Sequence, residues 1–240
     1  SDPPPPAPLT EAERAALVER YTTVLSTARS LNPEVQVLPV SKTKSVEMIQ
    51  VLRDAGVETF GENYVQELCS KMEHFSSSPS PPTFVFIGSL QSNKINKLLS
   101  GAASSLLLRV DTVSSPKVAT KLAAAASAWG TGRRLQVCVQ VDTSLEASKS
   151  GVPYNDREAL EGLVAHIRSL PSLEYKGVMT IGAPGDDVCF DRLTAVHEIL
   201  GGDVRSMGMS GDFEKAIAKG ATEVRCGSNI FGARAYPPKK

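Results

Sequence analysis

Apolar positions keep one rhythm at the start of this chain and another from residue 35 onward. Over "LTEAERAALVERYTTVLSTARSL", Leu17, Tyr21, Val24 and Leu25 recur at helical spacing. Thr10 suits the N-cap of that helix, Glu13 completes a capping box, and Pro33 marks its end. Further on, short runs rich in valine and isoleucine alternate with longer helical patterns. The runs fall at 35–40, 58–61, 84–88, 106–111, 135–142, 175–181, 204–209 and 222–227, the second being the weakest. Helical spacing predicts helices near 45–55, 62–75, 92–100, 114–128, 156–169, 187–200 and 211–219. Near-continuous apolar strands imply a sheet buried on both faces, and strict strand–helix alternation makes it parallel. Eight units over this length predict an α/β fold, a (β/α)8 barrel with one extra N-terminal helix. A doubly wound open sheet is the competing arrangement.

Composition narrows this without redirecting it. The chain has 240 residues, 41% of them hydrophobic, enough for a sizeable core. Its opening "SDPPPPAP" reads as a stiff, disordered proline-rich tail over 1–8, which leaves 9–240 as a single barrel domain. Lys plus Arg and Asp plus Glu each number 26, and no basic stripe carries interleaved aromatics, so no nucleic-acid partner is expected. No apolar run approaches a membrane span and the start lacks the shape of a signal peptide, so no membrane partner is expected either. Cys69, Cys138, Cys189 and Cys226 are widely spaced with no CxxC pair, which suits reduced thiols and argues against zinc or other metal sites. The expected compartment is the cytoplasm. The chain does not begin with methionine, which leaves room for a removed segment and a mitochondrial address.

Barrel active sites sit where strands end. There this chain places "SKTK" (41–44), "GENYVQE" (61–67), "GSLQSNK" (88–94), "DTSLEASKSG" (142–151), "MTIGAP" (179–184), "MGMSGD" (207–212) and "RCGSNIFGAR" (225–234). Polar and glycine-rich residues thus gather at one end of the strands. Ser210 suits a helix N-cap, and Gly227 and Ser228 precede a short helical turn. Such N-termini offer free N–H groups to anions, and barrels often bind phosphate after strands 7 and 8. Ordinary caps and turns would look the same. Lys42 at the first strand end could be a surface residue, a phosphate clamp or a nucleophile. Lys44, two residues on, could depress its pKa, cap the loop or face solvent. A phosphate cradle opposite an amine is what pyridoxal phosphate (PLP) requires.

"VSKTK", "FGENYVQE", "IGSLQSNK", "SKSG", "MGMS.D" and "IFGAR.Y" occur in the order found in the pyridoxal phosphate homeostasis protein family, which this chain resembles from about Val40 to Tyr236. The resemblance implies the fold of the N-terminal barrel of alanine racemase and PLP as cofactor. It implies that Lys42 carries PLP as a Schiff base and that Asn63 lies beside it. Ser210, Gly227 and Ser228 would hold the phosphate, Arg225 would face the pyridine nitrogen, and Met179 and Met207 would line the wall. Val85 stands where the family commonly has histidine and Ala147 where it has asparagine, and "IGAPG" replaces its "P.P". None of these touches the lysine or the cradle.

An arginine at the ring nitrogen is always cationic and keeps that nitrogen neutral, which weakens the electron sink. A structural alternative is a salt bridge from Arg225 to Glu223 or Glu62. Racemisation needs a second acid/base opposite the lysine, which alanine racemase takes from a further domain. This chain ends soon after the barrel. Tyr64, Tyr154 and Tyr236 are the remaining candidates, and His74, His166 and His197 sit within helices as surface or packing residues. The expected function is therefore a monomeric PLP carrier in vitamin B6 homeostasis, handing cofactor to apoenzymes and without strong catalysis. The alternative is a low-activity amino-acid racemase or lyase acting on the same lysine. A sugar-phosphate barrel with a reactive lysine ranks last, because it has no use for Arg225.

Overall fold

The computed structural model describes residues 2, 4–5, 7–130, 132–146, 150–183 and 185–233. Eight parallel strands follow one another around a barrel: β1 (Gln36–Pro39), β2 (Thr59–Glu62), β3 (Thr83–Phe86), β4 (Leu107–Val113), β5 (Leu135–Asp142), β6 (Leu173–Met179), β7 (Val204–Ser206) and β8 (Glu223–Cys226). Pairing runs β1-β8-β7-β6-β5-β4-β3-β2, and a two-residue strand, Val152–Pro153, lies beside β5. The sheet's ends meet through one bridge, Val40 to Gly61, with the Ser41 N–H on the Gly61 carbonyl at 2.9 Å. That closure decides between the barrel and the open sheet.

The first helix, α1 (Glu11–Leu31), carries the expected capping box at Thr10 and Glu13. It packs against the helices that follow β1, β7 and β8. Just ahead of it the Leu9 N–H donates to the Glu47 carboxylate (3.0 Å), so the chain is anchored where the expected tail ends. Residues 1, 3 and 6 of that tail lie outside the described residues. Each strand feeds a helix: α2 (Val46–Asp54), α3 (Val65–Phe75), α4 (Ile95–Leu99), α5 (Pro116–Ala126), α6 (Arg157–Arg168), α7 (Val188–Leu200), α8 (Phe213–Ala218) and α9 (Ser228–Phe231). A 3₁₀ turn, Ser92–Lys94, opens the helical segment predicted over 92–100. No helix of the described residues is long and apolar enough to cross a membrane.

The core has two parts. Strand residues such as Val110, Val137, Val178 and Val224 join Leu52, Leu68, Leu122, Leu163 and Leu193 from the helices in one apolar layer. Inside the barrel, Leu38, Val40, Val85 and Ile87 form a separate small cluster. Gly61 belongs to that inner wall, where an added Cβ would meet Leu38 and Val40 at 3.2 and 3.3 Å. The rest of the interior is polar. Arg109 donates to Asp111 (2.6 Å) and also bonds Glu223, all three being buried. Burial opposes the charge on Arg109, but the two carboxylates outweigh it and its pKa stands well above the ordinary arginine value. Cys138, fully buried near Asp111, has its thiol pKa pushed well up by burial. All four cysteines are free thiols.

Candidate active site

Several of the apolar runs outlast their strands. Residues 87–88, 180–181 and 207–209 follow β3, β6 and β7, and Ile87, Ile181 and Met209 among them face the barrel mouth. There a cavity of about 470 Å³ is lined by Val40, Lys42, Asn63, Ile181, Met209, Ser210, Arg225, Gly227 and Ser228, with Lys44 and Gly211 at the same wall. Its size lies in the range of small-molecule sites, roughly 300–1,000 Å³.

Lys42 reaches this space from a tight turn after β1, closed by the Lys44 N–H on the Ser41 carbonyl (3.0 Å). Lys44 lines the same cavity and ties down α9, its Nζ donating to the Ala233 carbonyl at 3.1 Å. Asn63 follows β2 directly, and its Oδ1 is buried with no hydrogen-bond partner among the described residues. Such an orphaned acceptor costs free energy unless a ligand or water meets it. Gly88 makes room for it, because a Cβ there would lie 1.8 Å from the Asn63 carbonyl oxygen.

On the far wall, Ser210 Oγ accepts from the N–H groups of Gly227 (3.1 Å) and Asn229 (3.4 Å) and donates to Asn229 Oδ1 (2.8 Å). This ties the β7 and β8 loops together at the cavity wall, where Ser210, Gly227 and Ser228 stand side by side. Arg225 is the most buried polar residue of the lining, 4% exposed. It donates to Ser206 Oγ (2.6 Å) and to the Thr180 carbonyl (2.8 Å). Burial pulls its pKa below the ordinary arginine value, and the carboxylates of Asp111 and Glu223 push back. The salt bridge weighed from the sequence does not form. Glu223 is taken by Arg109 and Glu62 by Lys71.

Residues 14–235 match the family described as alanine racemase, N-terminal domain. A pyridoxal phosphate homeostasis protein of Bos taurus is 42% identical over 221 residues, 85% of this chain and 79% of that one. The chain belongs to the pyridoxal phosphate homeostasis protein family. A bacterial member, from Vibrio alginolyticus, is 41% identical over 214 residues, 84% of this chain and 88% of its own length. Among solved structures, PipY of Synechococcus elongatus with PLP bound is 28% identical, covers 90% of this chain and 100% of its own, and superposes with a TM-score of 0.74.

Lys42, Asn63, Ser210, Arg225, Gly227 and Ser228 all line one cavity. Met179 and Met207 do not line it. Both are fully buried, Met207 within the apolar layer beneath the helices. Their places are taken by Ile181, two residues beyond Met179, and by Met209. Gly208 has a φ of 96°, which interrupts strand alternation and lets Met209 reach the mouth. Tyr64 opens onto a neighbouring groove, and Tyr154 stacks under the Arg192 guanidinium (4.4 Å). Tyr236, Ala147, the first two residues of "SKSG" and Pro184 lie outside the described residues. The three histidines lie within α3, α6 and α7, as expected. The sequence reading missed Met209, Ile181 and the buried pair Glu62–Lys71. Only the i, i+4 spacing of Glu67 and Lys71 on α3 hinted at the last.

Proposed function

We propose that this chain binds pyridoxal 5'-phosphate in the barrel mouth, holds it covalently through its aldehyde on Lys42, and serves intracellular vitamin B6 homeostasis as a carrier. The observation that carries the reading is the convergence of the Lys42 side chain, one buried guanidinium and the joined β7 and β8 loops on a single cavity. The residues fit the group. The unpartnered Asn63 Oδ1 supplies an acceptor awaiting a donor, and the cavity volume suits a compact aromatic phosphate. The naming of the family members and the PLP-bound PipY structure support the same ligand.

When bound, PLP supplies an aldehyde for amines and a ring that can withdraw electrons. The chain's own residues do the rest. Lys42 holds the aldehyde carbon. Ser210, with Gly227 and Ser228, orients the phosphate on N–H and hydroxyl groups. Arg225 spends two of its donors on Ser206 and Thr180, and its remaining donors would be offered to the ring nitrogen of bound PLP. A permanent cation there keeps that nitrogen unprotonated and damps the electron sink, which suits storage over turnover. In this reading the chain acts as a monomer, in the cytoplasm or the mitochondrion, and passes cofactor to PLP-dependent apoenzymes.

The test is an absorbance spectrum of protein mixed with PLP, followed by borohydride reduction and peptide mass mapping. A band near about 420 nm that reduction fixes to Lys42, and that Lys42→Ala abolishes while Lys44→Ala keeps it, is the expected result. A wild-type protein that stays colourless with added PLP would refute the reading.

A further inference from the structure

Behind the lysine-bearing turn lies buried charge that the binding of PLP does not itself use. Lys42 and Thr43 are the central residues of that turn, and Thr43 has a φ of 64°. A β-branched residue rarely adopts this left-handed conformation, and such strain persists only where the surroundings over-determine it. Here three side chains do so. Glu67 accepts the Thr43 N–H with both carboxylate oxygens, at 2.9 and 2.8 Å. Lys71 donates to the Ser41 carbonyl at 2.8 Å. Glu62 accepts the Ser41 hydroxyl at 2.7 Å. Lys71 then ties the two acids together, at 2.5 Å to Glu62 and 3.0 Å to Glu67.

Glu62 is 0% exposed and Lys71 5%. Burial pushes the Glu62 carboxyl up to about 7, against the pull of Lys71. A buried ion pair of this kind is seldom retained for stability, since apolar residues of like volume serve as well. These contacts instead converge on Ser41 and Thr43, the residues that flank Lys42, while none of the three acidic or basic groups lines the cavity.

We propose that Glu62, Lys71 and Glu67 form a buttress that fixes the strained turn and so sets how long a cofactor aldehyde stays on Lys42. They are positioning residues acting through the backbone on either side of the amine. The proposal rests on the reading of Lys42 as the attachment site.

Glu67→Gln is the first variant, because its side chain is a quarter exposed and its loss leaves the Glu62–Lys71 pair in place; Glu62→Gln is the second. Wild type and variants are loaded with PLP and moved into excess hydroxylamine, and the decay of the band near about 420 nm is followed. Amide hydrogen exchange of the peptide 38–48 is measured in parallel on protein without PLP. Loss of one charge-assisted hydrogen bond should speed the decay roughly tenfold and raise exchange in that peptide in both variants, and in Glu67→Gln exchange in α1 and the urea midpoint stay near wild type. Decay and exchange unchanged in both variants would overturn the buttress while leaving the cofactor reading intact. A wild type that never gains the band overturns the cofactor reading instead, and the exchange data alone then judge whether the turn is held as described.

Discussion

At the residue scale, the cavity's character comes from what its polar groups already touch. Ser210 is the clearest case, since one hydroxyl gathers N–H groups from two places in the β8 loop. Ser210→Ala should weaken PLP affinity by about 1 kcal/mol, roughly five- to tenfold, by loosening that surface. Pyridoxal, which lacks the phosphate, should bind the variant and wild type alike, and equilibrium titration of both ligands checks this. Arg225 was legible only through the resemblance to the family, and nothing in the pattern of its own run pointed to it. Its exclusion from Glu223 and Glu62 was not legible, because it depends on Arg109 and Lys71 reaching those acids first from other strands and helices. Met179 and Met207 show a different limit. Strand alternation assigns a side, but it cannot say which layer of a barrel a residue fills or where a left-handed glycine shifts the count.

At the element scale, period and punctuation placed all eight strands and every helix between them, because the strands are short runs rich in valine and isoleucine and the helices carry one apolar face. What escaped were the strand ends, where the apolar runs pass the strand bounds while single backbone bonds still tie them to the next strand. Those overhanging residues build the mouth. Gly88 stands at such an end, after β3. Gly88→Ala forces a Cβ against the Asn63 backbone at 1.8 Å, which neither side can yield without moving the β2 loop. The variant should lose about 1–3 kcal/mol of stability by urea unfolding and hold PLP more weakly as Asn63 is displaced. The connection from β2 to α3 carries a second consequence, through the Glu62 carboxyl at about 7. Its pKa in the unfolded chain is near 4.5, so the native state holds that proton more tightly. The stability it contributes is fully present below about 4.5 and is lost as pH rises through about 7. Glu62→Gln cannot titrate, so wild type should lose ground to this variant across that window, as seen in urea midpoints measured at each pH.

At the scale of the whole molecule, this is a barrel with a charged heart. Arg109, Asp111 and Glu223 hold one another inside the wall, where apolar side chains usually fill the space. Arg109→Met should cost about 3–5 kcal/mol, because it strands two carboxylates without a cation, and chemical denaturation will read the loss directly. The ring around that interior is joined between β1 and β2 by the Val40–Gly61 bridge, and Lys42 stands two residues beyond it. A hoop fastened by one clasp gives first at the clasp, and here the clasp adjoins the turn that bears the lysine proposed to hold the cofactor. Damage to the frame anywhere would then announce itself as leakage of cofactor, well before the frame came apart.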